Sequence, residues 1–182
     1  SNISLDRIKF NRAANGVIEQ LGIQPIIIAN LVIKKSGTGN ITLNDSVTIS
    51  TKATFTNGII NTSATKELIF EDGTTHSGSS ATSHVIGPVT EVGNDIFTFP
   101  VGGPVSYNPI GMSAPVGVTS KFRAEYKNQN PSIDGYNTNN KAGSFGVAGI
   151  SKAGYWDVQR IIGATNVLLT LGFNANPYEQ YP

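Results

Sequence analysis

Two histidines, twelve carboxylates and six tyrosines are the side chains of this 182-residue sequence from which chemistry could be built. His76 and His84 lie across a Gly/Ser/Thr-rich run with Glu71 and Asp72 just upstream. Imidazoles and carboxylates ligate transition metals, but a site needs three or four of them converging, so loop surface is the better reading and no metal is expected. Asp134-Gly135-Tyr136-Asn137 offers one carboxylate and several amides, with Asn139 or Asn140 in reach. A hard dication asks for more negative oxygens than that. Glu125 and Asp157 are a carboxylate pair of the kind that glycoside hydrolysis places on either side of a sugar, although chain spacing does not set their separation in space. There is no cysteine to supply a thiolate, no GxSxG elbow for a serine nucleophile, and neither Gly37-Thr38-Gly39 nor Gly102-Gly103 belongs to a phosphate-binding GxxxxGK run. No catalytic residue and no cofactor are therefore assigned, and the chain is read as a non-enzyme.

Binding is better supplied. Tyr107, Tyr126, Tyr136, Tyr155, Trp156 and Tyr178 all lie in or after the second half, several beside amide side chains. Aromatic faces with amides are the usual means of holding a neutral sugar. The expected contact set is Tyr136, Asn137, Asn139 and Trp156. The competing reading makes Phe97, Phe99, Phe122, Tyr126 and Trp156 a packed core, leaving Tyr136 as the exposed ring. Arg123, Arg160 and Asp157 are expected in ion pairs that fix layers rather than in a reaction.

Composition narrows the partners. Thirteen basic against 12 acidic residues leave a net charge of +1, too weak a field to gather nucleic acid or acidic lipid. Polarity comes instead from 18 Asn, 17 Thr and 16 Ser. No apolar run reaches the roughly 18–20 residues of a spanning helix, so no transmembrane segment is expected. Absence of cysteine excludes a disulfide scaffold. Ser1-Asn2 reads as a tag remnant or a processed junction.

The elements that must position these residues read as strands. From Ile41 the chain falls into sixes, ITLNDS, VTISTK, ATFTNG and IINTSA. Ile41, Leu43, Val47, Ile49, Ala53 and Phe55 should point inward, with Thr42, Thr48 and Thr54 outward. Corners of about three residues suit a parallel β-helix whose successive strands lie on different faces of one coil; Asn57-Gly58 keeps a hairpin meander open as the alternative. In a coil with corners, Thr residues six apart fall on successive faces and make no column, which argues against an ice-ordering Thr array. Residues 13–22 have some helical character and would cap an open end. Residues 73–83 have linker or loop composition.

Short strands follow at Val85–Val89, 95–100, 117–118, Phe122–Tyr126, 143–147, 155–158 and 166–173, with a polar loop over 128–141. Their spacing suits an antiparallel sandwich. No long amphipathic helix appears, against the βαβ frameworks. The fold is thus expected to be all-β: a short, right-handed parallel β-helix over 5–90, a β-sandwich-like unit over 91–175 that closes its end, and a tail over 176–182.

Gly93-Asn94-Asp95-Ile96-Phe97-Thr98-Phe99-Pro100-Val101-Gly102 resembles the FxFPxG signature of large secreted proteins of the Bacteroidota, often found shortly before a type IX secretion sorting domain. Tyr107-Asn108-Pro109-Ile110 is similar to the YRP continuation of that signature, with Asn108 in the Arg position. Ser151 to Val158 and Val167 to Leu171 resemble its "S..eYW.l … vtL.w" segments, with Phe173 where Trp is usual. Thr54 to Thr62 is similar to the "gnltltnGiint" repeats that precede it. The resemblance touches most of residues 31–173 and supplies no catalytic residues. It implies a structural or adhesive module of a multidomain protein that is extracellular or at the cell surface, associated with the outer membrane. Its partners would be other domains of the same polypeptide, with neutral glycans or a surface protein beyond them, and a carbohydrate-binding module is the alternative.

Overall fold

A computed structural model describes residues 3–20, 24–138 and 151–172. The chain opens with β1 (Ile3–Phe10) and then winds. β2 (Gly16–Ile18) and β3 (Ile26–Lys34) make one turn, and β4 (Ile41–Leu43) and β5 (Val47–Asn57) the next. β6 (Ile60–Asn61), β7 (Leu68–Phe70) and β8 (Thr75–Ser77) follow, and then β9 (Val85–Ile86), β10 (Val89–Val92) and β11 (Phe97–Phe99). One parallel sheet stacks β1, β3, β5, β7 and β10, and a second stacks β2, β4, β6 and β9. The result is a parallel β-solenoid of about four turns. Its pitch is visible in the ladder Ile26, Val47, Leu68, Val89, an interval of 21 residues from 26 to 47, 47 to 68 and 68 to 89.

The six-residue phase is therefore the distance from one face to the next within a turn. β5 crosses a corner: Val47 to Ile49 pair with β7, while Lys52 to Thr54 pair with β8. The inward set is as the alternation requires, with Ile41, Val47, Ile49 and Ala53 at 0 % exposure and Leu43 and Phe55 nearly so. Thr42 is exposed, and Thr48 and Thr54 are half-covered by neighbouring turns. Thr42 pairs with Val17 and Asn61, Thr48 with Ile27 and Ile69, and Thr54 with Val32 and Ser77, so no Thr column forms.

Inside, each turn adds a rung to the same apolar columns, such as Ile28–Ile49–Phe70 and Ile41–Ile60–Val85. Each fully buried Ile or Phe contributes roughly 1.5–3 kcal/mol of transfer free energy. Corners are held by the short polar side chains that dominate the composition. The Thr74 hydroxyl donates to the Ile49 carbonyl at 3.2 Å, Ser83 to Gly58 at 3.1 Å and Thr62 to Pro88 at 2.9 Å, each between adjacent turns. These hydroxyls add side-chain donors to backbone carbonyls at the corners, that of Ile49 accepting also from the Glu71 N–H at 3.1 Å.

Two expectations fail here. Of the helical cap expected over 13–22, the described residues 13–20 form no helix; 16–18 are strand β2, because Gly16 and Ile18 occupy the inward rungs below Ile41 and Leu43. Residues 73–83 are no linker, since β8 pairs with β5 and Thr74, Ser83 and His84 are buried. At Asn57-Gly58 the chain turns a solenoid corner instead of a hairpin, and Gly58 donates its N–H to Thr82 of the next turn. Gly58 has φ +114, and a Cβ there would lie 2.3 Å from Cγ of the buried Lys35.

Closure of the far end extends the first sheet and adds a third, separate one. β10 pairs on its second edge with β13 (Lys121–Lys127), antiparallel, and β13 with β14 (Tyr155–Ile162). β11 pairs with β12 (Ile110–Met112), and β12 with β15 (Leu169–Leu171), also antiparallel. These two antiparallel layers form the sandwich-like unit, and one hydrophobic cluster runs through it and the solenoid. Residues 117–118 lie in a turn, not a strand, and 143–147 and the tail 176–182 lie outside the described residues.

The FxFPxG stretch is the hinge of this arrangement. Phe97 and Phe99 point inward from the last turn, Val101 stacks on Val85, and Gly102 lies against His84, where a Cβ would come within 2.9 Å of the ring.

Candidate functional site

The polar loop after β13 is organised by its own sequence. Asn130 caps a 3-10 turn, Pro131–Asp134, its side chain accepting from the Ser132 N–H at 3.0 Å. Gly135 closes the turn in the left-handed region at φ 86. Asp134 is thereby aimed back at the strands, where it accepts from the Tyr155 hydroxyl and from Gln129 Nε2 at 2.5 Å, with Lys127 Nζ at 3.5 Å. The Tyr136 ring stands edge-on to Tyr155, centroids 5.6 Å apart at 72°, and Lys127 Nζ lies 5.9 Å from the Tyr155 centroid.

Electrostatically this cluster is locked. Hydrogen bonds from Tyr155 and Gln129 hold Asp134 below the usual carboxylate range. Desolvation, reinforced by Asp134, raises Tyr155. A carboxylate and a phenol shifted apart in this way do not exchange protons near neutral pH, so the cluster offers donors, acceptors and ring edges for contact. A depression of about 380 Å³, lined by Glu125, Lys127, Asn128, Gln129, Gly103 and Pro104, opens at the same end of β13.

Of the four residues expected to touch a ligand, Tyr136 and Asn137 are exposed on this loop and Asn139 lies outside the described residues. Trp156 is placed differently. It is half-buried against the core, edge-on to Tyr126 at 5.3 Å, and its indole N–H donates to the Asn108 carbonyl at 2.8 Å. Tyr155, its neighbour on the outward face of β14, is the ring that joins Tyr136. Alternation along the strand carries that distinction: adjacent residues face opposite sides, and only the packing shows which side is wet.

Glu125 and Asp157 are brought directly opposite each other across β13 and β14. Burial raises Glu125, with Asp157 adding to that and Lys127 opposing it. Asp157 accepts from Gln159 at 3.0 Å, Gln159 accepts from Arg123 at 2.7 Å, and Arg123 pairs with Glu67 at 2.9 Å. This chain of contacts ties the cap to β7's turn, as an ion pair fixing layers would. Arg160 holds the carbonyls of Ala164 and Thr165 and so shapes the turn before β15.

Neither histidine lies on a loop surface. His84 is fully buried, with Nδ1 3.0 Å from the Ser80 carbonyl and Nε2 2.9 Å from that of Gly103. His76 sits half-buried among Phe55, Phe70 and Phe97, and burial lowers its pKa. Both were drawn inward because β8 and the corner after it are solenoid rungs. Among the described residues, no three His, Asp or Glu side chains are grouped as a metal ion would require, and no helix is long and apolar enough to cross a membrane. Comparison with protein-family models, curated proteins and solved structures finds no match to this chain.

Proposed function

We propose that the chain is a non-catalytic structural or adhesive module of a secreted or cell-surface protein. The observation that carries this reading is the shared strand β10, parallel to β7 on one edge and antiparallel to β13 on the other. It makes a rigid rod and its end closure one hydrogen-bonded body, a form suited to spacing and termination, since an open solenoid end exposes apolar interior and unpaired edges. Export rests on the resemblance of residues 93–102, 107–110, 151–158 and 167–171 to the Bacteroidota surface proteins. The test is protease shaving and antibody labelling of intact source cells. Release of the module by external protease is the expected result, and protection until the cells are lysed would overturn it.

A second reading, a carbohydrate-binding module, is favoured by the exposed Tyr136 beside Tyr155, Asp134 and Asn137. A neutral-glycan array probed with the protein and with Tyr136→Ala tests it. Binding lost in the variant supports that reading, and no binding to any neutral polysaccharide ends it.

A further inference from the structure

The interior columns of the solenoid all run out at one face. Leu5, Ile8 and Phe10 of β1 stand in register beneath Ile28, Leu31 and Ile33. Those three upper residues are at 0 % exposure, whereas Leu5 is 39 % exposed and Ile8 and Phe10 are only half-buried. With Ile18 and Ile26 they line an apolar opening of about 480 Å³. Among the described residues, the outer edges of β1 and β2 pair with no strand. Two sheets thus end together, each with a row of unpaired backbone donors and acceptors, around an uncovered core. The opposite end is closed by β12 to β15.

What fits must satisfy both edges and fill the opening at once. A lone hairpin laid along β1 would leave β2 and the cavity open. A second copy meeting this face head-on would set β1 antiparallel to itself and bring the exposed Arg7 and Lys9 of both copies onto one shared edge, offset only by Asp6, a cationic edge of the kind that guards against self-pairing. A segment that runs parallel to β1, turns, and runs parallel to β2 covers everything, and the ladder already states its dimensions. Ile3 pairs with Ile26, an interval of 23 residues, and Gly16 with Ile41, an interval of 25.

We propose that this face docks one further turn of parallel β-solenoid, carried on the same polypeptide and entering ahead of Ile3. The turn would bring apolar side chains under Leu5, Ile8 and Phe10, and uncharged or acidic ones beside Arg7 and Lys9. It extends the structural-module reading, and because its test reads folding and not location, either can fail without the other.

The test duplicates residues 3–25 directly ahead of Ile3, which places a second β1 at the 23-residue interval found between Ile3 and Ile26. A second variant duplicates residues 26–46 at the same point, so that failure of one insert does not decide the matter. Hydrogen exchange and light scattering are read on the unmodified chain and on both variants. The expected result is a monomer throughout, with β1 amides in at least one variant slowed about tenfold or more toward those of β3. Unchanged β1 exchange in both variants overturns the proposal. So does an unmodified chain that dimerises with β1 protected, which would make a second copy the occupant.

Discussion

Glu91 lies directly beside Phe70 in the parallel ladder between β10 and β7, a carboxylate in the rung where the turns below carry Ile28 and Ile49. On its other side it faces Phe122 of the antiparallel cap. It is 2 % exposed, Oε2 has no hydrogen-bond partner, and burial, with Asp95 and Asp72 adding to it, pushes its pKa up to about 7. A charge-bearing group thus occupies the rung at which the solenoid hands over to its closure.

Stability should accordingly fall with rising pH. Below the ordinary Glu value of 4.5 the carboxyl is neutral in both folded and unfolded chains. Between 4.5 and about 7 the unfolded chain ionises first, so folding loses on the order of 3 kcal/mol across that window, and the loss is complete above it. Glu91→Gln should match the unmodified chain at pH 4 and melt higher at pH 8.5. Melting curves that keep a constant offset across that range would refute the assignment.

His84 presents both ring nitrogens to carbonyl oxygens that can only accept. His84→Ala takes the ring away from the Gly103 carbonyl, while that of Ser80 still accepts from the Ser83 N–H, and opens a void against Gly102; it should cost about 3 kcal/mol in urea unfolding. A loss below about 1 kcal/mol would show that the staple between residues 80 and 103 carries little.

Gly58→Ala forces an L side chain to φ +114 and drives its Cβ into Lys35. Strain of this kind is worth roughly 1–3 kcal/mol, so the variant should melt several degrees lower with the same far-ultraviolet spectrum. An unchanged melting temperature would mean that this corner relaxes freely.

Trp156 and Tyr136 should separate cleanly. Trp156→Ala removes a ring packed on Tyr126 and a hydrogen bond to Asn108, a change expected to cost about 3–5 kcal/mol. Tyr136→Ala, at an exposed position, should stay within about 0.5 kcal/mol of the unmodified chain. Equal losses in the two variants would place Tyr136 in the core and remove it as a contact residue.

Much of the solenoid was legible from residue types alone. Period-two alternation from Ile41 to Phe55 names its own inward face, because only one register of a strand buries the apolar set. The corner composition was legible too, since Asn, Thr, Ser and Gly are the residues that satisfy backbone groups where strands stop. Residues 73–83 were not, for a Ser/Gly/Thr run has the same composition whether it wanders in solvent or, as here, lies as β8 along β5.

The candidate site divides along the same line. Tyr136 in an Asn-rich loop was recognisable as an exposed ring, while its partner Tyr155 was hidden by adjacency to Trp156. What the sequence by itself determined is the all-β class, the inward face from Ile41 to Phe55 and the absence of a familiar catalytic motif, since these follow from local alternation and residue chemistry. Only the tertiary structure decided that the coil takes 21 residues between Ile26 and Val47, that Glu91 occupies a core rung, and that among the described residues β10 gains an antiparallel cap while the outer edges of β1 and β2 pair with no strand. Those depend on which strand lies beside which, and the pairing of residues a full turn or more apart leaves no mark on the local pattern.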